Sequence, residues 1–390
     1  MSEYVRHVKQ LTKPLASRLG QLDIELTERC NNDCIHCCIN RPATDVDARA
    51  REMTTEQVKD ILQEAADLGC LRVRFTGGEP LLRADFEELY IYARRLGLKV
   101  LLFTNARLIT PHLADLLAGI PPLVSIEITV YGMHAESYQA VTRAPGSFAQ
   151  FWRGVNLLLE RNVPFVVKSA LLPQNKHEID EFEAWARTIP WMTERPAYSM
   201  FFDLRDRRDD AGKNRLIESL RLSPQDGLAV LARDEAKYRK VMAEFASKFM
   251  GPCGGQLFCC GAGCGICVDA YGRAQPCMGI RAPELTYEVV GANGHSFLRD
   301  AMDRFSHLRE LRTTNPDYMR RCAVCFLKGF CEQCPAKSWV EYDGTLDTPV
   351  EYLCELAHAQ ARYLGWLSGN EHGWEVVNWR ERTHPSTGSG

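Results

Sequence analysis

Between Asp23 and about Phe202, short apolar runs alternate with amphipathic stretches of helical period. The runs are Ile24–Leu26, Leu71–Phe75, Val100–Phe103, Val124–Val130, Pro164–Leu171 and Ala197–Phe202. The stretches between them are Thr54–Leu68, Asp85–Leu96, Pro111–Leu117, Ser147–Glu160 and Glu178–Ile189. Thr54 and Thr55 supply N-cap chemistry for the first helix, and Gly69, Gly97 and Asn162 read as helix stops. Strand and helix in strict alternation predict parallel strands joined by right-handed crossovers. Six repeats are too few for a closed eight-stranded barrel. The expected fold is therefore α/β, a partial (β/α)6 TIM-type barrel over residues 22–205, preceded by an extension at 1–21.

Beyond the last run the pattern changes. Arg205–Arg215 is densely charged and reads as a solvated connection. Residues 206–250 are expected to be a linker with bridging helices, with Ser223–Met250 forming one or two of them. A cysteine-rich domain is expected over 251–366 and a tail over 367–390. The 390 residues are 45% hydrophobic, enough for real buried cores in two or three domains. Lys plus Arg is 47 against 50 Asp plus Glu, a formal net charge of −3, which gives no footprint for nucleic acid. The N-terminus has no apolar signal segment, and no run of eighteen apolar residues occurs, so neither secretion nor a membrane span is expected. A cytoplasmic protein is implied.

That compartment makes sixteen cysteines informative, because disulfides are disfavoured there and clustered thiols bind metal or carry redox chemistry. Five cysteines lie before residue 71 and eleven between 253 and 354, with none in between. Cys30-x3-Cys34-x2-Cys37 follows the first strand directly. Three thiolates on one short loop suit three irons of a [4Fe–4S] cluster and leave the fourth iron open. Structural zinc prefers four protein ligands, and a second local pair is missing.

These residues resemble the Cx3CxΦC motif of the radical S-adenosylmethionine (SAM) superfamily, with His36 as the aromatic residue and Cys38 outside the motif. The resemblance implies that SAM chelates the open iron and is cleaved to a 5′-deoxyadenosyl radical that abstracts a substrate hydrogen. Gly77-Gly78-Glu79-Pro80, ending the second strand, resembles the family's GGEP element for the SAM ammonium group. Glycines there let backbone carbonyls approach a cationic nitrogen, and barrel folds place chemistry at this strand edge. Phe103-Thr104-Asn105 resembles the "TNG" strand end, with Ala106 in place of glycine. Ile128–Gly132 resembles the "SLDG" element, which makes Thr129 a SAM contact. Arg143 falls where the family's arginine pairs with the SAM carboxylate, and Ser169 on the fifth strand is a further implied contact.

Cys322-x2-Cys325-x5-Cys331-x2-Cys334, followed by Cys354, resembles the SPASM extension, which holds two auxiliary [4Fe–4S] clusters; the family has three residues before the fourth cysteine, not two. The resemblance implies one auxiliary set of Cys253, Cys260, Cys277 and Cys334 and another of Cys322, Cys325, Cys331 and Cys354. The Cys260-Gly-Ala-Gly element favours Cys260, whereas spacing from Cys253 favours Cys259. Cys264 and Cys267 read as packing residues on a hairpin strand. Zinc competes for the paired cysteines, as in a ribbon.

SPASM relatives mostly modify peptides, so the implied reaction is maturation of a ribosomally made peptide by crosslinking, oxidation or epimerisation. The implied cofactors are three [4Fe–4S] clusters and SAM, with a flavodoxin or ferredoxin-type reductant. Only 29 residues precede Cys30, too few for the usual leader-binding domain, which implies a separate leader-recognition protein or direct binding. The competing readings are oxidation of a protein in the manner of sulfatase maturases and dehydrogenation of a small alcohol or sugar. Met278 stands where sulfatase maturases carry an acidic base, which weighs against the first. The catalytic acid and base are not assignable.

Overall fold

The computed structural model describes residues 19–207, 209–260, 265–291, 297–342 and 344–383. The chain divides into two compact units: Met1–Leu220 with Gly263–Ser306, and Arg221–Ala262 with His307–Gly390.

The first unit is built on parallel strands β1 Gln21–Thr27, β2 Arg72–Gly77, β3 Lys99–Thr104, β4 Leu123–Val130, β5 Val166–Ala170 and β6 Ala197–Ser199, hydrogen-bonded in that order. Helices α1 Thr55–Asp67, α2 Phe86–Arg95, α3 Pro111–Gly119, α4 Ser147–Glu160 and α5 Ile179–Ala186 follow successive strands. This is the expected partial barrel. One face of each strand is apolar: Leu22, Ile24, Val73, Phe75, Val100, Leu102, Ile126, Ile128 and Val167 are all buried. They share the core with the buried helix faces Val58, Ile61, Leu62 and Ala65 of α1 and Leu89, Tyr90 and Ala93 of α2. Each such side chain contributes about 1.5–3 kcal/mol by leaving water.

The opposite face of the sheet is polar. Arg74 pairs with Asp23 at 3.1 Å, Lys168 pairs with Glu127 at 2.9 Å, and both cations lie over the Phe103 ring. The helix boundaries have local causes. Thr54 caps α1 and Gln57 returns the bond, a complete capping box. Gly69, Gly97 and Asn162 take φ of 79°, 82° and 54°, the left-handed stops expected of them.

Three features depart from expectation. First, β7 Gly265–Val268 pairs parallel with the free edge of β1, and β8 Arg273–Gln275 and β9 Tyr287–Glu288 extend the sheet antiparallel. The expected hairpin exists, but it joins the barrel sheet, so the stretch 251–366 is shared between the two units. Second, the charged stretch is solvated only in part: residues 209–212 and Arg215 are exposed, but its start is drawn inside. Arg205, Asp206 and Arg281 are buried, Arg205 pairs with Asp209, Arg207 with Glu28, and Arg281 with Glu25 and Asp206. A one-dimensional charge run does not reveal that Asp206 and Arg207 find opposite charges, Arg281 and Glu28, far along the chain. Third, residues after 366 are not a loose tail: Leu367, Val376 and Trp379 are buried in the second unit's core.

That core also holds Ala246, Phe326, Leu327, Ala357, Ala361 and Trp366. Phe326 stacks on Trp379 at 5.8 Å and Phe330 on Trp366 at 5.4 Å. Helix Glu235–Phe249 contributes Ala246 to it, and helix Glu351–Tyr363 contributes Ala357 and Ala361. Among the described residues no helix is long and apolar enough to cross a membrane.

Candidate functional site

The cysteine loop leaves β1 under tight backbone control. Arg29–Cys30 pairs with Arg41–Pro42 in a two-stranded ribbon. The Asp33 and Ile35 amides donate to the carbonyls of Thr142 and Val141 at 2.8 and 3.0 Å, and Lys213 Nζ donates to the Cys34 carbonyl at 2.7 Å. Arg29 grips Glu52 through Nε at 2.7 Å and its terminal nitrogen at 3.0 Å. The Gly-Gly-Glu turn is stitched to the same loop: the Gly78 amide donates to the Thr27 carbonyl at 2.7 Å and the Glu79 amide to the Arg29 carbonyl at 2.9 Å. A Cβ on Gly78 would lie 2.3 Å from the Arg29 oxygen, and one on Gly77 2.1 Å from the Thr27 oxygen. Only glycine permits this approach, and it sets the strand end against the cysteines.

A cleft of about 350 Å³ opens here, a size ordinary for small-molecule sites. Cys30, Cys34 and Cys37 line it together with Gly77, Gly78, Asn105, Thr129 and Ser169. Burial pushes the Cys30 thiol up to about 12 and raises those of Cys34 and Cys37. Metal binding must therefore release protons. His36, between Tyr131 and Phe202, is held neutral by burial, its pKa falling to about 3.

Two atoms lining this cleft, Asn32 Nδ2 and His36 Nδ1, are buried without a hydrogen-bond partner. Such atoms are rare and call for a polar occupant. The donor set thus fits a thiolate-bound cluster with a polar organic ligand beside it. Among the described residues no three His, Cys, Asp or Glu side chains converge as they would on one ion. An iron–sulfur cluster instead distributes its thiolates over separate irons.

The other expected SAM contacts fall differently. Glu79 is fully buried behind the cleft, where its carboxylate accepts from Thr104 Oγ1 and the Asn105 amide, both at 2.8 Å, and desolvation pushes its pKa up to about 7. Pro80 is buried at the start of a single 3-10 turn. Arg143 does not line the cleft; half exposed, it lies 3.7 Å from Asp33. Asn105 Nδ2 donates to Asn31 at 2.7 Å and lies 3.8 Å from the Cys30 sulfur.

Sequence reasoning missed Arg107, which is buried and bonds to Asn31, Asn32 and Gln150, pinning the cysteine loop to α4. It also missed Tyr131, whose hydroxyl reaches the Cys34 sulfur. Nothing in local sequence separates a buried arginine from a surface one.

In the second unit one pocket is lined by Cys322, Cys325, Cys331 and Cys354, the whole of the second implied auxiliary set. Burial pushes Cys322 and Cys325 up to about 12 and Cys354 up to about 11. Arg321 lies 3.7 Å and His358 Nδ1 3.5 Å from the Cys354 sulfur. The first implied set is not gathered in the same way. The Cys253 thiol donates to the sulfur of Cys259, the residue favoured by spacing, while Cys260 is exposed and acts electrostatically on Cys334. Cys277 is exposed and belongs to the first unit. Cys267 is buried on β7, a packing residue as expected, and Cys264 lies outside the described residues.

The sequence profile of the Radical SAM superfamily matches residues 24–186. The chain is 27% identical over 341 residues to the AdoMet-dependent heme synthase of Methanosarcina barkeri, covering 81% of this chain and 90% of that protein. It is 36% identical over 165 residues to the mycofactocin maturase MftC of Mycolicibacterium smegmatis, covering 42% of this chain and 40% of that one. The solved structure of anSMEcpe with bound AdoMet superposes with a TM-score of 0.62 at 16% identity, over 88% of this chain and 96% of that one. The same protein has been solved with AdoMet and a Kp18Cys peptide.

Proposed function

The chain belongs to the radical SAM superfamily, and from that premise we propose that it matures a ribosomally made peptide by crosslinking, oxidation or epimerisation. Family membership brings SAM and a [4Fe–4S] cluster as cofactors. In this reading Cys30, Cys34 and Cys37 hold the cluster, and SAM cleavage there supplies a 5′-deoxyadenosyl radical. Gly77 and Gly78 present strand-end backbone to the SAM ammonium group, and Asn105, Thr129 and Ser169 face the same ligand. Glu79 and Pro80 act from behind by fixing the turn, and Arg107 fixes the cysteine loop. The cysteines of the second unit, with Cys277, carry two auxiliary clusters; Cys259 and Cys260 compete for one ligand position. A flavodoxin or ferredoxin-type protein supplies the electron, and a separate protein presents the peptide leader.

The observation that carries the proposal is the single cleft collecting all three motif cysteines with the strand-end glycines and Asn105, Thr129 and Ser169. Likeness to anSMEcpe, solved with a peptide, and to a mycofactocin maturase supports a peptide substrate. A second reading, a heme precursor as substrate, is favoured by the 341-residue match to a heme synthase. Oxidation of a protein substrate in the manner of sulfatase maturases is disfavoured, since Met278 offers no base and its sulfur instead accepts from Arg74 at 3.4 Å.

The test is anaerobic incubation of reduced enzyme and SAM with a short peptide encoded beside the gene, with a heme precursor, and with simple alcohols and sugars. A peptide that stimulates 5′-deoxyadenosine release and loses two mass units, or takes up deuterium at constant mass, supports the proposal. Stimulation by a heme precursor, an alcohol or a sugar alone overturns it.

A further inference from the structure

Lys328 stands inside the Cys325-x5-Cys331 interval and is buried, with 8% of its surface exposed. Its ammonium donates to the Tyr318 hydroxyl at 2.8 Å and lies 4.9 Å from that ring's centroid. Tyr318 is itself 2% exposed. A buried ammonium is costly unless an anion faces it. Among the described residues no carboxylate pairs with Lys328; the ionisable groups acting on it are the Tyr318 hydroxyl and the sulfurs of Cys331 and Cys322. The same ammonium acts on Cys253 and Cys259. It lines the pocket formed by Cys322, Cys325, Cys331 and Cys354. A protein that buries a lone cation among thiols has kept a place for negative charge beside it.

We infer that Lys328 is the counter-ion of the Cys322, Cys325, Cys331 and Cys354 group, and that its charge holds the reduction potential of that auxiliary cluster above the one the thiolates alone would set. This rests on the reading of these cysteines as cluster ligands. Reduction adds an electron to an already anionic centre, so a fixed neighbouring cation favours the reduced form; net charge and hydrogen bonds to sulfur are established controls of cluster potential. Lys328 acts through the cysteines and touches no substrate, so potential is its proper readout, not activity.

The experiment uses the full chain carrying Cys30→Ala, Cys34→Ala and Cys37→Ala, reconstituted anaerobically so that only the auxiliary clusters report. Redox titration followed by electron paramagnetic resonance compares this background with added Lys328→Met, Lys328→Gln or Lys328→Arg. At the parent midpoint, the neutral variants are expected to shift the oxidised-to-reduced ratio about tenfold toward oxidised, about 59 mV downward, with Lys328→Arg close to the parent. A neutral variant with full iron and unmoved potentials overturns the inference. Iron loss in both neutral variants but not in Lys328→Arg supports it, because charge is then what the site requires. Iron loss in all three overturns it in favour of a packing role. If the parent itself binds no iron, the ligand reading fails and takes the inference with it, a failure recognised from metal content before any titration.

Discussion

Glu79 lies two residues past the end of β2, with no cation paired to it among the described residues, in a pocket where three donors meet its carboxylate: Thr104 Oγ1, the Asn105 amide and, at 3.2 Å, the Leu81 amide. Those donors favour the charged form, yet desolvation dominates and its pKa rises to about 7. The folded state therefore binds a proton that the unfolded chain releases near 4.5. The stabilisation is complete below that value and is lost as pH rises through about 7, on the order of 3 kcal/mol in all. Chemical denaturation from pH 5 to 7.5 should show a steeper downward slope in the wild type than in Glu79→Gln, which keeps the contributions of buried Glu25 and Asp206, whose pKa values burial also raises, to about 7 and about 6; equal slopes would refute the assignment. Gly78→Ala is a second residue-scale case. Its Cβ would press on the Arg29 carbonyl, one residue from Cys30. SAM affinity measured by equilibrium dialysis should fall at least about tenfold, and stability by about 1–3 kcal/mol. The Gly-Gly-Glu-Pro sequence implied a turn at the strand end; that the glutamate faces inward to brace the next strand end is a fact of packing.

At the scale of elements, the strands and their helices were legible because each has a local cause: an apolar run, a capping box, a left-handed stop. What was not legible depends on partners far along the chain. β7 finds β1 across more than 230 residues of sequence, with Leu22 opposite Ile266, and no periodicity announces such pairing. Arg207 and Arg281 turn inward because carboxylates far along the chain, Glu28 and Glu25, receive them. Departures from the family pattern have readable consequences here. Ala106 occupies the glycine place of the third strand end and takes a φ of 61°, a conformation costing a non-glycine residue about 1 kcal/mol. Its carbonyl is covered by α4, where a Cβ on Gly154 would come within 1.9 Å of the Ala106 oxygen. Gly154→Ala should therefore push α4 off the strand end. A loss of about 1–3 kcal/mol by thermal or chemical unfolding is expected. Because Asn105 precedes Ala106 and reaches the cysteine loop, weaker SAM binding should accompany it. A variant as stable as wild type would show that α4 yields without disturbing the site.

For the molecule as a whole, the residues that line the cleft beside Cys30, Cys34 and Cys37 all belong to the first unit, and the four cysteines around Lys328 all belong to the second. This separation makes radical generation and auxiliary-cluster chemistry independently removable. Intact reconstituted protein should carry about 12 irons and 12 sulfides, four of each per cluster. Replacing Cys30, Cys34 and Cys37 together with alanine should leave about 8 irons and abolish 5′-deoxyadenosine formation. Cys331→Ala or Cys354→Ala should behave in the opposite sense, losing an auxiliary cluster while retaining SAM cleavage, because neither residue lines the cleft. Both sulfurs lie in a buried pocket next to Lys328, so removing one leaves cation and thiolates unbalanced and the second unit less stable. The cleaner comparison is therefore Cys→Ser, which keeps volume and polarity. If the auxiliary cluster accepts an electron from the substrate, or holds the substrate, modified product should fall much further than 5′-deoxyadenosine in each variant. The ratio of the two, measured by mass spectrometry on one reaction mixture, is the deciding quantity. A variant that lacks one cluster but keeps the wild-type ratio would assign that cluster to structure alone.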